Sequence, residues 1–299
     1  MSEGAERIAY ERIADGDIAD EHIIEAVGRA RITIRNGKVV SVEPPAIRGC
    51  PLAKRFMYPV SDMTADEIKK NIERRIADFG MCTPQRKVLS DDDFVLFGAS
   101  ELLNSALAAG IIDCAVIACD GAGTVVAANP KLIQGIGGKI SGIVKTTAYP
   151  EVIARIEANG GHVVFSDGRL DAFRGCRKAY ELGYRKVAVT VALVDDAEKI
   201  RAAYPDAVII CVHTTGHGRE NAEKLAETCD LIFACASATI RDVAGSRALV
   251  QGGTGVPVFA MTQKGKDIIL EKIRTTKMQV MIKGNKLPMN LGSEPEPLI

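Results

Sequence analysis

Eight cysteines and four histidines are the residues of this chain best equipped for chemistry. Context separates them. Cys114, Cys211 and Cys229 stand in or beside short apolar runs and Cys176 in a helical stretch, settings where a thiol packs as a small hydrophobe. Cys119 and Cys235 follow apolar runs that read as strands, while Cys50 and Cys82 stand in loops with Pro51 and Pro84 close behind. If the front of the chain folds over the remainder, Cys50, Cys82, Cys119 and Cys235 make a four-thiolate set. Such a set suits an iron–sulfur cluster, with zinc as the alternative metal. The chain has no C-x-x-C, only Cys114/Cys119 and Cys229/Cys235 pairs with four and five residues between them. Four unrelated thiols are therefore the competing reading.

His213 is placed to be an acid/base group, because an unperturbed imidazole titrates near neutrality. A Cys–His nucleophile pair, Cys119 or Cys235 with His213, is geometrically conceivable. The plainer alternative is a strand-end histidine bonded to backbone. His217 lies four residues on, but Thr214-Thr215-Gly216 resists a helix, so the two do not form a helical metal pair. His22 and His162 read as structural. Asp120 and Ser100 complete the candidate catalytic set with His213, and Glu101 and Asp242 are the other carboxylates nearby. Two glycine clusters, Gly121 with Gly123 and Gly137 with Gly138, fit neither a Walker loop nor a dinucleotide fingerprint. Either could still let backbone N–H groups reach an anionic cofactor. Tight turns and close packing are the competing explanation.

The elements that must position these residues follow from composition and periodicity. Of 299 residues, 47% are apolar and 25% charged, the profile of a globular chain. Lys plus Arg (38) balance Asp plus Glu (38), so no basic field points to nucleic acid or anionic lipid. No apolar run approaches the roughly 18–20 residues of a bilayer span, and the polar start is unlike a signal peptide. A cytoplasmic protein with reduced thiols is expected. In the front, residues 19–27 read as a short amphipathic helix, and two alternating stretches flank Asn36-Gly37, the strongest hairpin signal. Thr64 with Glu67 forms a capping box for a helix carrying Ile68, Ile72, Ile76 and Phe79 on one face. From residue 93 short apolar runs (94–97, 114–118, 163–165, 187–192, 208–212, 231–234, 258–261) alternate with helical patterns, as buried parallel strands require. The expectation is an α/β fold: a doubly wound, mostly parallel sheet over residues 93–275, a small N-terminal cap with a β-hairpin over 1–92, and a tail over 276–299. An eight-fold barrel is the alternative if residues 125–128 add a strand. In open α/β sheets ligands sit beyond the strand carboxyl ends, where Ser100, Cys119, Asp120, His213 and Cys235 all fall.

Several stretches form a familiar set: Cys50-Pro51-Leu52-Ala53-Lys54-Arg55-Phe56, Phe79-Gly80-Met81-Cys82-Thr83-Pro84, Phe97-Gly98-Ala99-Ser100-Glu101-Leu102, Cys119-Asp120-Gly121-Ala122-Gly123-Thr124, Gln134-Gly135-Ile136-Gly137-Gly138 and Val212-His213-Thr214-Thr215-Gly216. Over about residues 20–275 the chain resembles the archaeal family called methanogenesis marker protein 8. That resemblance implies an anaerobic cell rich in iron–sulfur proteins, with methanogenesis enzymes or their maturation proteins as partners. It carries over no catalytic residue. Two function classes remain: a cytosolic metal- or iron–sulfur-binding accessory protein associated with methanogenesis, and a small-molecule transferase or lyase with a Cys or His catalyst acting on an anionic substrate. Neither involves nucleic acid or a membrane.

Overall fold

The computed structural model describes residues 20–49, 53, 58–140 and 142–289. Its centre is an eight-stranded sheet in the order β11-β12-β10-β9-β8-β4-β5-β7. The strands are β4 (Cys114–Cys119), β5 (Gly123–Ala127), β7 (Gly161–Val163), β8 (Val187–Val191), β9 (Val208–Cys211), β10 (Leu231–Phe233), β11 (Val250–Gly252) and β12 (Val258–Ala260). β4, β8, β9 and β10 pair in parallel. β5 and β12 run against them, and β7 and β11 reverse again. Six of the eight strands thus point the same way, and their carboxyl ends share one edge.

Helices cover both faces. On one side α2 (Ala99–Ala108), α3 (Pro130–Gly137), α4 (Pro150–Glu157) and α9 (Gln263–Thr275) pack onto Ile117, Ala188, Ile210 and Phe233. On the other, α5 (Ala172–Glu181), α6 (Val194–Ala203), α7 (Arg219–Thr228) and α8 (Ala238–Arg247) pack onto Val116, Val189, Ile209 and Ile232. The strands read as continuous apolar runs because alternate side chains meet different helical layers. This is the doubly wound sheet expected from the sequence. Val125 and its neighbours do add a strand, but as β5, antiparallel to β4 across the turn Asp120-Gly121-Ala122, which extends the sheet without closing a barrel.

The front segment forms a second sheet, in the order β3-β2-β1-β6, from β1 (His22–Glu25), β2 (Arg31–Arg35), β3 (Lys38–Val42) and β6 (Gly142–Lys145). Asn36 and Gly37 turn the hairpin with φ of 49° and 65°, as that dipeptide predicts. α1 (Ala65–Phe79) lies over this sheet, Thr64 accepting from the Glu67 N–H and Gly80 ending it in the left-handed conformation. β6 comes from beyond residue 93, so the small sheet draws on both parts of the chain.

Two stretches differ from expectation. Residues 22–25 are strand, not helix: β1 pairs with β2 on one side and with β6 on the other, and those non-local ladders override a weak helical pattern. Residues 94–97 form no strand. The N–H groups of Phe94 and Val95 donate to Glu101 Oε1 at 3.0 and 3.4 Å, so a side chain takes the donors a ladder would use. The stretch that reads as a glycine loop at 135–138 is mainly the last turn of α3. Residues 292–299, expected to fray, lie outside the described residues.

Candidate functional site

The front segment meets the carboxyl end of β4 through one buried ion pair. Arg86 Nε donates to Asp120 Oδ1 at 2.8 Å, and both side chains are sealed from solvent. Asp120 Oδ2 accepts the backbone N–H of Cys82 at 2.7 Å. Burial alone would raise the Asp120 pKa. The Arg86 charge and hydrogen bond, with the Cys82 N–H, outweigh it and hold the carboxyl below its usual range. Arg86 also donates to the carbonyls of Lys87, Gly135 and Ile136, so it caps the carboxyl-terminal turn of α3, where cations are favoured. Arg155 of α4 fixes the same loop through the carbonyls of Arg86 and Pro84 at 2.6 and 3.0 Å.

A second buried chain of hydrogen bonds runs beside it. Gly121 N–H donates to Thr146 Oγ1 at 2.8 Å, Thr146 Oγ1 lies 2.8 Å from His22 Nδ1, and His22 Nε2 lies 2.9 Å from the Tyr149 hydroxyl. That hydroxyl reaches the Asp20 carboxylate and the Cys82 carbonyl. Because Tyr149 gives its single proton toward those acceptors, His22 donates from Nε2, and a neutral ring then accepts from Thr146 at Nδ1. Burial lowers the imidazole pKa, against the pull of Asp120 and Asp20.

Ser100 sits in the first turn of α2 and donates to Glu101 Oε2 at 2.8 Å, while Gln134 Nε2 reaches Glu101 Oε1 at 3.1 Å. A Cβ at Gly137 would stand 3.0 Å from Ser100 Cβ, and one at Gly138 would stand 2.8 Å from Gln134 Nε2. These glycines are explained by close packing. Gly121 and Gly123 have φ of 83° and 78° and turn the β4–β5 hairpin. The four glycines proposed for a cofactor thus each have a structural reason to be there.

Further along the same edge the ends of β8, β9 and β10 are stitched together. His217 Nε2 lies 3.2 Å from the Ala192 carbonyl, Thr214 Oγ1 donates to Phe233 O at 2.5 Å, and Ala236 N–H donates to Thr215 Oγ1 at 3.0 Å. His213 and Cys235 flank these links with φ of 58° and 46°, a region that side chains other than glycine seldom occupy. Cys235 opens the Ala234–Ser237 turn, closed by Ser237 N–H to Ala234 O at 2.9 Å, and Ser237 then caps α8. Its carbonyl accepts from Arg241 at 2.9 Å. From the small sheet, Arg29 donates to Thr215 O at 2.6 Å and pairs with Glu25. A Cβ at Gly142 would lie 3.4 Å from His213 Cε1, so the imidazole stands against β6 while the residue keeps access to solvent.

The sequence candidates therefore divide. Asp120, Cys82 and Cys119 come together, with Ser100, Gly137 and Gly138 adjoining through Arg86 and α3. His213 and Cys235 lie elsewhere, beyond the ends of β9 and β10, whose loops are joined by the Ala236 N–H to Thr215 Oγ1 hydrogen bond. Cys50 lies outside the described residues. Cys82 and Cys119 are sealed, and burial pushes both thiols well up, which suits neutral S–H groups and not thiolate ligands. Burial likewise pushes Cys114 and Cys176 up to about 12. Among the described residues, which leave out Cys50, no group of three or more His, Cys, Asp or Glu side chains is arranged to hold a metal ion. Two surface hollows are present among the described residues, one beside α5 at Phe165, Arg174 and Arg177, just past the carboxyl end of β7, the other at the amino ends of β8 and β9 near Lys186 and Val208. Arg86, Tyr149 and Arg241 had no sequence signal, since nothing local marks an arginine or a tyrosine as buried; Arg29 is exposed and had none either.

Removing one member of a buried ion pair leaves an uncompensated charge and costs about 3–5 kcal/mol. Arg86→Met and Asp120→Asn should each lower stability in urea unfolding, Arg86→Met by that order. Arg86→Met combined with Asp120→Leu should cost less than the sum. The His22 effect has its own window. Its folded pKa is depressed, so its contribution is whole above the unfolded value of about 6.5 and is lost as pH falls below it. NMR should find the ring neutral with the proton on Nε2 at pH 7, and His22→Asn should flatten the stability loss between about pH 6.5 and 5.

A 41% identity over 284 residues relates the chain to a Methanocaldococcus jannaschii protein described as uncharacterized protein MJ0054, across 94% of this chain and all of the relative. The family model described as an uncharacterized protein conserved in archaea, DUF2099, matches residues 22–274, from the first residue of β1 to within one residue of the end of α9. The chain belongs to that archaeal family.

Proposed function

We propose that this protein is a cytoplasmic small-molecule transferase or lyase that works on an anionic substrate at the carboxyl ends of β9 and β10. Cys235 is the nucleophile and His213 the acid/base group. The observation that carries the reading is the pair of left-handed, non-glycine residues on neighbouring parallel strand ends, bound to each other through Thr215 and Ala236. Such conformations cost of order 1–3 kcal/mol each and cluster at active sites. Cys235 is also half-buried where the other six described cysteines are buried. Packing around His213 lowers its pKa, Glu25 opposing and Arg29 assisting, which leaves a neutral imidazole able to take a proton at pH 7. In the proposed step His213 accepts the Cys235 proton, the thiolate attacks an electrophilic carbon of the substrate, and the leaving group departs with the proton that His213 returns.

The finer family assignment, methanogenesis marker protein 8, belongs to this proposal and rests on the motifs around Cys82, Ser100, Asp120 and His213. An accessory role with an iron–sulfur cluster or zinc, in contact with methanogenesis enzymes or their maturation proteins, has one observation in its favour: Cys82 and Cys119 lie close enough to influence each other electrostatically.

Site-resolved mass spectrometry after brief exposure to iodoacetamide and to a panel of activated thioesters tests the reading. Cys235 should label at least about tenfold faster than Cys211 or Cys229, and His213→Gln should slow it and remove a step from its pH profile. Equal labelling of all cysteines, or a profile indifferent to His213, sinks the proposal. Iron, zinc and sulfide measured in the same anaerobic preparations, with Cys82→Ser beside wild type, decide the accessory reading.

A further inference from the structure

Three of the five non-glycine residues with left-handed backbones among the described residues meet at one loop. His213 begins it, and Cys235 adjoins it through the Ala236 N–H on Thr215 Oγ1. Arg29, with φ of 59°, reaches it from the turn between β1 and β2. That turn closes through Arg29 N–H to Ala26 O at 2.8 Å and Ala26 N–H to Ala30 O at 3.0 Å, with Gly28 also left-handed. The turn needs the conformation but not an arginine, since glycine or asparagine takes it at less cost. What the arginine adds lies in its side chain.

The guanidinium is held over residues 213–217. Nη1 donates to Thr215 O at 2.6 Å, while Nε and Nη2 lie 3.2 and 3.4 Å from the two oxygens of Glu25. A Cβ at Gly216 would stand 2.5 Å from Arg29 Nη1. This glycine, with φ of 95°, leaves the space that the guanidinium fills. On the other side Gly142 lies between Glu25 and His213: a Cβ there would meet Glu25 Cβ at 3.5 Å and His213 Cε1 at 3.4 Å. These neighbours form a ring of His213, Gly142, Glu25, Arg29 and Thr215. Arg29, His213 and Gly216 are exposed to solvent.

A guanidinium has five N–H donors. Three are spent on Thr215 and Glu25, and two have no partner among the described residues. The Glu25 bonds are long, and the side chains of the pair are 40% and 30% exposed, where an ion pair contributes little. The short bond to Thr215 fixes the group, and its charge is only partly offset. Such a group suits a single carboxylate, whose two oxygens match two N–H donors. A phosphate dianion would bring one charge more than the site can balance, with Glu25 alongside. We propose that Arg29 binds the carboxylate of the substrate handled by Cys235 and His213. The proposal rests on the reading of those two as the reacting groups, and it narrows the anion to a carboxylate.

Sodium acetate titrated against the whole isotope-labelled protein tests it, with the His213 ring followed by NMR and chloride at matched ionic strength as the control. Acetate should shift the ring resonances saturably. Arg29→Gln should weaken binding at least about tenfold, and Arg29→Lys, which keeps the charge and loses the fork, should fall between. Glu25→Gln removes a competing anion and should tighten binding about two- to fivefold. Weaker binding in Glu25→Gln marks a pair that only shapes the loop and overturns the assignment.

Alkylation of Cys235 by iodoacetate and by iodoacetamide separates this inference from the reading beneath it. In each reaction the Cys235 sulfur bonds to the reagent's methylene carbon, iodide leaves with the carbon–iodine electron pair, and the thiol proton passes to His213. The ratio of the iodoacetate rate to the iodoacetamide rate should fall at least about fivefold in Arg29→Gln. Fast labelling of Cys235 with that ratio unchanged, or no acetate effect beyond chloride, overturns the role of Arg29 and leaves Cys235 standing. Acetate bound through Arg29, with Cys235 labelled no faster than Cys211, carries the carboxylate site and overturns Cys235 as the nucleophile.

Discussion

The contact between Arg86 and Asp120 joins three parts of the molecule in its dry interior. It binds the loop after α1 to the end of β4, and through the carbonyls of Gly135 and Ile136 it binds both to α3. A buried ion pair is a poor source of stability when compared with a well-packed apolar replacement. Its value lies in specificity. Any other seating of the front segment would strand a guanidinium and a carboxylate in a dry interior, so the pair selects one arrangement strongly. The His22–Thr146–Tyr149 relay adds a second condition, because each member has a fixed donor or acceptor role that slippage would break.

The two candidate centres differ in what the fold asks of them. At Cys82, Cys119 and Asp120 both carboxylate oxygens have partners and the side chains are sealed from water, although Cys82 too takes a left-handed backbone, with φ of 55°. At His213 and Cys235 the backbone is held in an unfavourable conformation by hydrogen bonds from neighbouring loops. Strain maintained by Thr214, Thr215 and Arg241 needs a reason beyond packing, and the reading of those residues as reactive supplies one.

Much of the architecture was legible because it depends on local chemistry. Asn36-Gly37 turns a hairpin wherever two strands flank it, and the runs at 187–192 and 208–212 are apolar on both faces because helices cover both. What could not be read depends on partners remote in sequence. His22 to Glu25 become a strand by pairing with β2 and with β6, whose first residue, Gly142, pairs with Glu25 across 117 positions of sequence. The N–H groups of Phe94 and Val95 are diverted by the Glu101 side chain, and α3 hides in a stretch whose glycines suggest a loop. Asp120 stands directly after β4, as the apolar run before it suggests, yet nothing around Arg86 says that it would neutralise that carboxylate.

The crossing of β6 into the small sheet bears on how the chain is made. β1 is a central strand of that sheet, and one of its two neighbours is translated more than a hundred residues after it. Until residues 142–145 leave the ribosome, β1 exposes an unpaired edge, and His22 has neither Thr146 nor Tyr149 to meet it. Contacts of such long sequence separation form slowly, and open strand edges invite pairing with other chains. The amino-terminal sheet therefore closes late in synthesis, after β4 and β5 have emerged and while the rest of the large sheet is still being made.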